Sequence, residues 1–224
     1  MGMNIKQIQF GMGALVIGLA QALIPSPALG AAPATVSATV RTSATKSAPE
    51  TADFAGGCFW SMEAIFKQLK GVEKVTPGYA GGHTPYPSYG QVETGTTGHA
   101  ETLQIVFDPA VISYHDLLQV FFTMRDPTTP NRQGPDVGTQ YRSIIFYRDN
   151  AQKKDAQQEI QAITADHLWK NPVVTEVVPY TNFYHAEAYH YNYYARHPNE
   201  PYCKYVIAPE ISEFRAKFRS ELKR

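Results

Sequence analysis

The sequence predicts an α+β fold built around one central β-sheet, and three observations lead to this prediction. Strand and helix patterns are mixed along the chain, without the strict strand–helix alternation of parallel α/β folds. The chain has 224 residues, of which 43% are hydrophobic, and this is enough for one well-packed core. The first 50 residues differ in composition from the rest, so we expect a single folded domain over 51–224.

Residues 1–30 have the layout of a secretory signal peptide. Lys6 precedes an apolar run over 10–24, and prolines and small residues follow the run up to Gly30. The run contains glycines and a glutamine, and it is shorter than the roughly 20 apolar residues that a membrane-spanning helix needs. We therefore expect cleavage after Gly30, no stable membrane insertion afterwards, and a periplasmic or secreted location.

Residues 31–50 are expected to form a flexible linker. Fifteen of these twenty residues are Ala, Thr, Ser or Pro. Such a composition cannot bury enough apolar surface to offset the entropy that is lost when the chain becomes ordered. The folded domain is therefore expected to begin near Thr51.

The first elements of the domain are predicted to be a strand over 51–56 and a helix that follows it directly. Gly56 and Gly57 allow a sharp turn between the two elements, and Cys58 then falls in the first helical turn. A second strand is predicted over 72–79. The helix has one apolar face, made by Phe59, Met62, Ile65, Phe66 and Leu69.

A loop rich in Gly, Pro and Tyr is predicted over 81–98, before a third strand over 102–107. Every second residue from Leu103 to Phe107 is apolar, so these side chains share one face of the sheet. Glu101 is two residues before Leu103, and we therefore place it at the mouth of this strand.

The second half of the domain is predicted from capping, proline and periodicity signals. A helix is expected to begin at Ser113, since Asp116 gives it a capping-box-like start, and to run through Met124. The proline-rich stretch 127–139 is predicted to be an irregular, site-forming loop. The remaining predicted elements are a strand over 141–147, a polar helix over about 150–168, a Val-rich strand over 173–178, a Tyr-rich helix over about 185–196 and an amphipathic helix from Ile211.

Cys58 is a candidate nucleophile because of its predicted place at the start of a helix. Exposed backbone N–H groups and the positive end of the helix dipole favour a thiolate, so we expect the pKa of Cys58 to be lowered from about 8.5. Its position alone leaves two other interpretations open, which are a buried unreactive thiol and one half of a structural disulfide.

The residues around Cys58 resemble the active-site signature of the A-type peptide-methionine sulfoxide reductases. This signature runs from Gly56 to Trp60, and Ser61 stands where the family usually has glycine. Further blocks that resemble the family follow in the same order, and they are Gly78–Gly82, Thr97–Glu101, Gly134–Ser143 and Phe183–His190. The resemblance covers about 53–218. It implies a reductase catalytic domain with a two-layer, plait-like sandwich, in which a mixed sheet is flanked by helices and the nucleophile begins the first helix.

The resemblance also implies roles for individual residues. In the family, the helix cysteine attacks the sulfoxide sulfur, a glutamate protonates the oxygen, and tyrosine hydroxyls hold that oxygen. Matched motif by motif, Cys58 is the nucleophile, Glu101 is the acid, and Tyr141 is one of the two tyrosines. The other is Tyr89, which is matched by its spacing of twelve residues before Glu101.

The same resemblance assigns the walls of the site. Phe59 and Trp60 are expected to pack around the methyl group of the substrate, and Asp136 is expected to organise the polar side. A sulfoxide oxygen leaves poorly until it is protonated, so the acid must still carry its proton near neutral pH. Burial among aromatic side chains is expected to raise the pKa of Glu101 accordingly.

Cys203 is the only other cysteine of the chain and a candidate resolving residue. Attack on a sulfoxide leaves Cys58 as a sulfenic acid, which condenses readily with a second thiol. Cys203 ends the turn-rich stretch 198–203, where the family often places its resolving cysteine. The resemblance implies that Cys203, an external thiol, or both resolve the sulfenic acid, and that a thioredoxin-like dithiol recycles the enzyme.

His185, Glu187 and His190 invite a metal-site interpretation, but their spacing argues against it. Only Glu187 and His190 are three residues apart on one helical face, and no second pair in the sequence completes a site. We expect a buried polar network that orients the floor of the site, with neither a metal nor an organic cofactor.

The charge balance limits the classes of partner. The 20 basic and 20 acidic residues cancel, so nothing in the composition favours nucleic acid or an anionic membrane surface. The resemblance implies that the chain, expected to be a monomer, reduces the S epimer of methionine sulfoxide, free or in proteins. Two alternatives remain, which are a thiol peroxidase or thiol–disulfide oxidoreductase, and a non-enzymatic exported binding domain in which Cys58 and Cys203 form a structural disulfide.

Overall fold

The computed structural model of the protein describes residues 48–223. The predicted signal peptide and the predicted linker up to residue 47 lie outside the described residues. Glu50, the last residue of that predicted linker, is already the first residue of a strand. Within 48–223, no helix is both long enough and apolar enough to cross a membrane.

A six-stranded mixed sheet forms the centre of the domain. Its strand order is β7-β6-β1-β3-β2-β8, in which β6 and β7 pair parallel and every other neighbouring pair is antiparallel. Two further strands, β4 and β5, form a small separate hairpin. The strands are β1 (Glu50–Ala55), β2 (Val72–Ala80), β3 (Ala100–Phe107), β4 (Arg132–Gln133), β5 (Asp136–Val137), β6 (Ile144–Tyr147), β7 (Glu176–Pro179) and β8 (Phe183–His185).

Helices cover one face of this sheet. They are α1 (Phe59–Phe66), α2 (Tyr89–Glu93), α3 (Tyr114–Met124), α4 (Asn150–Ala165), α5 (Tyr193–Arg196) and α6 (Ala208–Lys217). The chain also forms short 3-10 turns over Thr139–Tyr141 and Ala188–His190, and a π-helical turn over Cys203–Ile207.

The main hydrophobic core lies between the helices and the sheet. Apolar side chains of α1, α3, α4 and α6 pack there against every second residue of the central strands, such as Ala52 and Phe54 of β1. A smaller apolar cluster on the opposite face consists of Ala55, Ala80, Ala100, Ile144 and Phe146. These five buried residues all belong to strands. The predicted α+β, two-layer architecture is therefore confirmed.

The predicted capping box at the start of α3 is present. The side chain of Ser113 accepts a hydrogen bond from the backbone N–H of Asp116 at 3.1 Å, and Asp116 accepts one from the N–H of Ser113 at 2.9 Å. Ser88 and Gln91 make an equivalent box in front of α2. That short helix lies inside the segment predicted to be a loop, since local capping outweighs the glycines and prolines around it.

The predicted Tyr-rich helix over 185–196 is wrong. The chain forms β8, then the 3-10 turn at Ala188–His190, and only then the one-turn helix α5. Asn192 adopts left-handed backbone geometry with φ of 54°, which cannot continue a right-handed helix. The backbone of β8 is also hydrogen-bonded to β2. Strand pairing therefore takes up the first residue of the predicted helix, and the left-handed backbone at Asn192 interrupts the rest.

Other segments also differ from the prediction. The stretch 127–139, predicted to be irregular, contains the β4–β5 hairpin. The final helix begins at Ala208, before the predicted Ile211, and it continues directly from the π-helical turn that holds Cys203. Both features place predicted site residues in ordered backbone.

Candidate active site

The turn before α1 places Cys58 at the helix N-cap. Gly57 has φ of 86°, a conformation that favours glycine, and a Cβ atom there would lie 2.5 Å from Cγ of Gln133. The N–H of Gly57 donates to the carbonyl of Tyr141 at 3.2 Å, which ties the turn to the next part of the site. Cys58 follows as the N-cap residue of α1. Cys58, expected in the first helical turn, is therefore the residue directly before it.

A cavity of about 210 Å³ opens beside Cys58. Six predicted site residues and one further residue line it, and they are Cys58, Trp60, Tyr89, Glu101, Asp136, Tyr141 and Tyr202. These residues come from α1, α2, β3, β5, a 3-10 turn and the C-terminal segment, so the fold gathers them from most of the domain. Cys58 is only 8% exposed, so the route to its sulfur is narrow.

Glu101 lies at the start of β3 and is fully buried beside Cys58. One oxygen of its carboxyl group accepts the backbone N–H of Phe59 at 2.8 Å, directly after the nucleophile candidate. Burial raises the pKa of Glu101 well above its usual value, and the nearby carboxylates of Glu93 and Asp136 raise it further, against the lowering effect of that N–H. The arrangement therefore favours a protonated carboxyl group, which the predicted role as acid needs.

The expected lowering of the Cys58 pKa is not observed. Burial raises the pKa of the thiol well above its usual value, and the neighbouring Glu101 carboxylate raises it further. The backbone N–H groups of Trp60 and Ser61 do act in the expected direction, but burial outweighs them. Cys58 is therefore a thiol in the resting site, and the predicted role as nucleophile requires it to lose this proton.

Two tyrosines form another part of the cavity wall. The hydroxyl of Tyr141 donates to both carboxylate oxygens of Glu93 at 3.2 Å, and the backbone N–H of Tyr89 donates to Glu187 at 2.8 Å. Burial, followed by the charge of Glu101, raises the pKa of both phenols. Both tyrosines therefore keep their protons and can donate hydrogen bonds to an oxygen atom in the cavity.

Tyr202 is a cavity residue that the sequence analysis missed. Its hydroxyl donates to Asp136 at 2.6 Å. Burial raises the pKa of Tyr202, and the neighbouring Cys58 and the bond to Asp136 add to this effect. Its place next to Cys203 in sequence was the only available signal, and that place did not indicate that the ring reaches the cavity.

The aromatic pair after Cys58 divides into one wall residue and one buried residue. Trp60 lines the cavity, and its indole stacks on Tyr193 with ring centroids 3.7 Å apart. Phe59 is fully buried and packs against Tyr79 and His190 instead of lining the cavity. In this structure Phe59 therefore acts on the site through its backbone N–H and through packing.

The loop that carries Tyr89 is held by a buried histidine. Nδ1 of His99 accepts the N–H of Gly82 at 3.1 Å, and Nε2 lies 2.8 Å from the carbonyl of Thr84. Burial lowers the pKa of His99, which favours the neutral ring that this pairing needs. Two of the family-like sequence blocks thus meet in space and fix the loop.

Ser61 stands where the family usually has glycine, and its hydroxyl takes part in a buried hydrogen-bonded cluster. The hydroxyl is buried, donates to Glu210 of α6 and accepts from the guanidinium of Arg125 at 2.8 Å. Arg125 also pairs with Glu210 at 2.9 Å. This cluster ties the first turn of α1 to the C-terminal helix that follows Cys203.

We expect Ser61→Ala to lower the free energy of unfolding by about 1–2 kcal/mol, because two hydrogen bonds to charged groups are lost while the Arg125–Glu210 pair remains. Urea unfolding of the purified protein measures this change. Ser212→Ala, at an exposed position of α6, is the matched control and should change stability little. Equal stability of the two variants would show that the Ser61 hydroxyl does not strengthen the cluster.

Cys203 is fully buried in the π-helical turn and does not line the cavity. Both cysteines of the chain are free thiols in the structure. This arrangement does not contain the disulfide that a non-enzymatic exported binding domain would use for stability. A resolving role requires the turn over Cys203–Ile207 to open, so that the thiol can leave the core.

The three residues that raised the metal-site interpretation do not meet as ligands. His185 is exposed and its Nδ1 lies 3.1 Å from the hydroxyl of Tyr191, whereas His190 is fully buried under aromatic rings. Within 48–223, no three His, Cys, Asp or Glu side chains are arranged to hold a metal ion. Glu187 and His190 are not hydrogen-bonded to each other; Glu187 accepts from Tyr79 and Tyr89, and His190 accepts from Trp60.

A second cavity, of about 380 Å³, lies at the N-terminus of α4. Its lining includes Tyr114, Arg148 and Asp149 but neither cysteine. It is larger than the cavity at Cys58, but it lacks a nucleophile and a buried acid. The chemistry therefore identifies the smaller cavity as the candidate active site.

Known proteins with similar sequences include two curated reductases. The peptide methionine sulfoxide reductase MsrA of Thermus thermophilus is 52% identical over 174 residues, which cover 78% of this chain and 98% of that protein. The enzyme of the same name from Sulfolobus acidocaldarius is 53% identical over 169 residues, which cover 75% of this chain and 95% of that protein.

Two solved structures have a similar fold. Reduced Mxr1 of Saccharomyces cerevisiae matches with a TM-score of 0.63 and 35% identity, over 69% of this chain and 89% of that chain. Methionine sulfoxide reductase A of Corynebacterium diphtheriae matches with a TM-score of 0.60 and 32% identity, over 67% of this chain and 76% of that chain.

The family model described as peptide methionine sulfoxide reductase matches residues 50–222, which is nearly the whole described domain. The resemblance that rested on five sequence blocks is thereby confirmed. The chain belongs to the peptide methionine sulfoxide reductase family.

Proposed function

We propose that this enzyme reduces the S epimer of methionine sulfoxide, free or in proteins, with Cys58 as nucleophile and Glu101 as general acid. The observation that carries the proposal is the meeting of a buried thiol and a buried carboxyl group at one small cavity, linked through the N–H of Phe59. At about 210 Å³ the cavity is smaller than the roughly 300 Å³ or more of drug-sized ligand sites. Its size therefore suits one amino-acid side chain.

In the first step, the sulfur of Cys58 attacks the sulfoxide sulfur while Glu101 protonates the sulfoxide oxygen. The oxygen then moves to the Cys58 sulfur as its bond to the substrate sulfur and the transient bond between the two sulfurs break, and the thiol proton of Cys58 replaces the proton that Glu101 gave. One thiol and one sulfoxide thus give a sulfenic acid and methionine. Tyr89 and Tyr141 donate hydrogen bonds to the oxygen during this transfer. For Tyr141 this requires the hydroxyl proton to turn from Glu93 toward the substrate.

The other wall residues orient the substrate. The indole of Trp60 packs against the methyl group on sulfur, and Phe59 supports this wall from within the core. Asp136 accepts the Tyr202 hydroxyl at 2.6 Å and so fixes the polar side of the cavity next to Cys58. Burial raises the pKa of Asp136, against the lowering effect of this hydrogen bond.

The reaction is completed by a second thiol. In our proposal the thiol of Cys203 attacks the sulfenic acid of Cys58, which releases water and forms a disulfide, and an external dithiol then reduces that disulfide. Because Cys203 starts fully buried, this step follows local opening of the Cys203–Ile207 turn.

Cys203→Ser is expected to keep full activity with dithiothreitol, because a small thiol can reduce the Cys58 sulfenic acid directly. Turnover with a thioredoxin-like protein donor is expected to fall about tenfold or more, since such donors attack disulfides. Steady-state rates with both reductants measure the difference. Equal loss with the two reductants would remove Cys203 from the recycling step.

The location and the electron donor follow from the N-terminal segment. Residues 1–30 have the pattern of a signal peptide, so we propose export to the periplasm or beyond, as a monomer without a membrane anchor. Cytoplasmic thioredoxin is absent there. The electron donor is then a thioredoxin-like domain outside the cytoplasm, or a membrane protein relays the electrons to the enzyme. Turnover with a panel of purified donor domains tests this, and failure with all of them would refute it.

The decisive experiment is the reduction of each methionine sulfoxide epimer by the purified chain with dithiothreitol. We expect methionine from the S epimer and little or none from the R epimer. Hydrogen peroxide serves as the competing substrate. Folded, reduced protein that consumes peroxide but neither sulfoxide would refute the proposal and favour a thiol peroxidase.

A further inference from the structure

His190 lies against the active-site cavity without lining it. It is fully buried, and its Nδ1 accepts the indole N–H of Trp60 at 3.0 Å. Its ring also packs against those of Phe59 and Tyr89, with centroids 4.9 and 4.5 Å away. His190 therefore contacts the aromatic wall of the cavity on the side that faces the core. It also accepts a hydrogen bond from the indole nitrogen, the only polar side-chain atom of Trp60.

The Trp60 indole is fixed at two independent places. Tyr193 stacks on one face of the indole at 3.7 Å with nearly parallel rings, and His190 accepts its only N–H. Stacking alone restricts tilt but leaves the ring free to slide or turn in its own plane. The hydrogen bond to His190 removes this freedom, because it defines which edge of the indole faces the core.

The chemistry of His190 suits a fixed acceptor. Nδ1 accepts a hydrogen bond from the indole N–H of Trp60, so the neutral ring must carry its own proton on Nε2. Burial lowers the pKa of His190 to about 4, which keeps the ring neutral and Nδ1 available as an acceptor. Nε2 lies 3.8 Å from a carboxylate oxygen of Glu187, beyond hydrogen-bond distance.

Glu187, three residues before His190, fixes another wall of the same cavity. Its two carboxylate oxygens accept the backbone N–H of Tyr89 and the hydroxyl of Tyr79, each at 2.8 Å. Burial raises the pKa of Glu187, but these two hydrogen bonds outweigh burial and lower it, so the carboxylate stays charged. The segment 187–190 therefore orients two cavity residues, which are Trp60 through His190 and Tyr89 through Glu187.

We propose that His190 is a positioning residue for the Trp60 indole, and that it thereby sets substrate affinity and the preference between sulfoxide epimers. This inference rests on the proposed function, in which Trp60 packs against the methyl group of the substrate. When the sulfur faces Cys58 and the oxygen faces Glu101, the two epimers differ only in the exchange of the methyl group and the longer chain. The wall that recognises the methyl group therefore distinguishes the epimers.

His190→Leu and His190→Asn form a matched pair for the test. The two replacements have nearly the same shape, but only asparagine offers an acceptor near the position of Nδ1. For His190→Leu we expect KM for the S epimer to rise about three- to tenfold, with a smaller change in kcat, since one hydrogen bond that orients the binding wall is lost. For His190→Asn we expect most of the affinity and of the epimer preference to return.

Trp60 fluorescence gives a second measurement that does not depend on activity. The chain has two tryptophans, so Trp169→Phe leaves Trp60 as the only tryptophan, whose emission lies at longer wavelength than that of the tyrosines. In that background, His190→Leu should shift the emission of Trp60, and His190→Asn should restore it. Trp60→Phe removes the indole N–H itself, and adding His190→Leu to it should change KM no further. If His190→Leu is unstable, the single variant Trp60→Phe, which keeps His190, tests the same hydrogen bond, and an unchanged KM and epimer preference in it would overturn the inference.

The outcomes separate the inference from the function on which it rests. A wild-type protein that reduces neither sulfoxide would overturn the proposed function, while the fluorescence comparison would still report whether His190 positions Trp60. A wild-type protein that reduces the S epimer, together with His190→Leu of unchanged KM, unchanged epimer preference and unchanged emission, would overturn the inference alone.

Discussion

Cys58→Ser is expected to abolish methionine sulfoxide reduction, with a loss of about 10⁴-fold or more, as is typical when the nucleophile of a covalent mechanism is removed. A serine hydroxyl is far less nucleophilic toward sulfur than a thiol and does not form the sulfenic acid that takes up the oxygen. Serine keeps the helix N-cap position of Cys58, so the fold should not change.

The measurement is methionine formed from the S epimer, both in steady state with dithiothreitol and in a single turnover without reductant. Single turnover isolates the first step, because no recycling is needed. Cys203→Ser is the matched control, since it replaces the other buried thiol by the same residue. It should still give one methionine per protein. Methionine formed by Cys58→Ser at a rate near that of wild type would refute the assignment of the nucleophile.

Glu101→Gln is expected to lower kcat by about 10²–10⁴-fold, the usual contribution of a general acid. Glutamine has the shape of glutamic acid and can still accept the N–H of Phe59, but it cannot supply a proton to the leaving oxygen. KM should change less than kcat, because the size of the cavity is kept. Glu213→Gln, at an exposed position of α6, is the control and should retain wild-type kinetics.

The pH dependence of the wild-type enzyme provides an independent check on Glu101. Its pKa in the folded protein is raised, mainly by burial, so the protonated acid persists above the usual titration range of a glutamate. Activity should therefore decline on the alkaline side as the pH rises through this raised pKa. The decline assigned to Glu101 should be missing from the residual activity of Glu101→Gln. The same alkaline limb in both proteins would assign it to another group.

The raised pKa of Glu101 also affects stability in a defined direction. The folded state binds the Glu101 proton more tightly than the unfolded state does, so this contribution is complete below the unfolded pKa of about 4.3. It is lost as the pH rises through the folded pKa. Glutamine has no such titration, so the stability of Glu101→Gln relative to wild type should increase with pH. Urea midpoints across this range measure the trend.

Much of the secondary structure could be predicted from local patterns. Alternation in β3 correctly placed Leu103, Ile105 and Phe107 on one face, which is the core face, and the Ser113–Asp116 pair correctly marked the start of α3. The predicted helix over 185–196 was wrong, because its first residue, His185, ends a strand that pairs with β2, and the backbone is left-handed at Asn192. A local pattern cannot report such pairing, since the partner strand is about a hundred residues away in sequence.

Only part of the candidate site could be predicted, and the reason is related. Motif matching identified six of the residues that line the cavity, but Tyr202 and the Ser61 cluster were missed. The direction of the Cys58 pKa shift was also predicted wrongly, since the helix terminus is a local feature, whereas burial and the Glu101 carboxylate are supplied by the packed fold. Similarly, the burial of Cys203 in a π-helical turn does not follow from its turn-rich neighbours.

By itself, the sequence determined the α+β class, the family, and the nucleophile and acid candidates, because these depend on periodicity and on motifs that are continuous along the chain. Only the tertiary structure decided which side chains hold the site residues in place and shift their pKa values. Trp60 meets His190 across 130 positions of sequence, and Ser61 meets Glu210 across 149. Hydrogen bonds and pKa values depend on distances in space, and these are fixed only when the helices pack on the sheet.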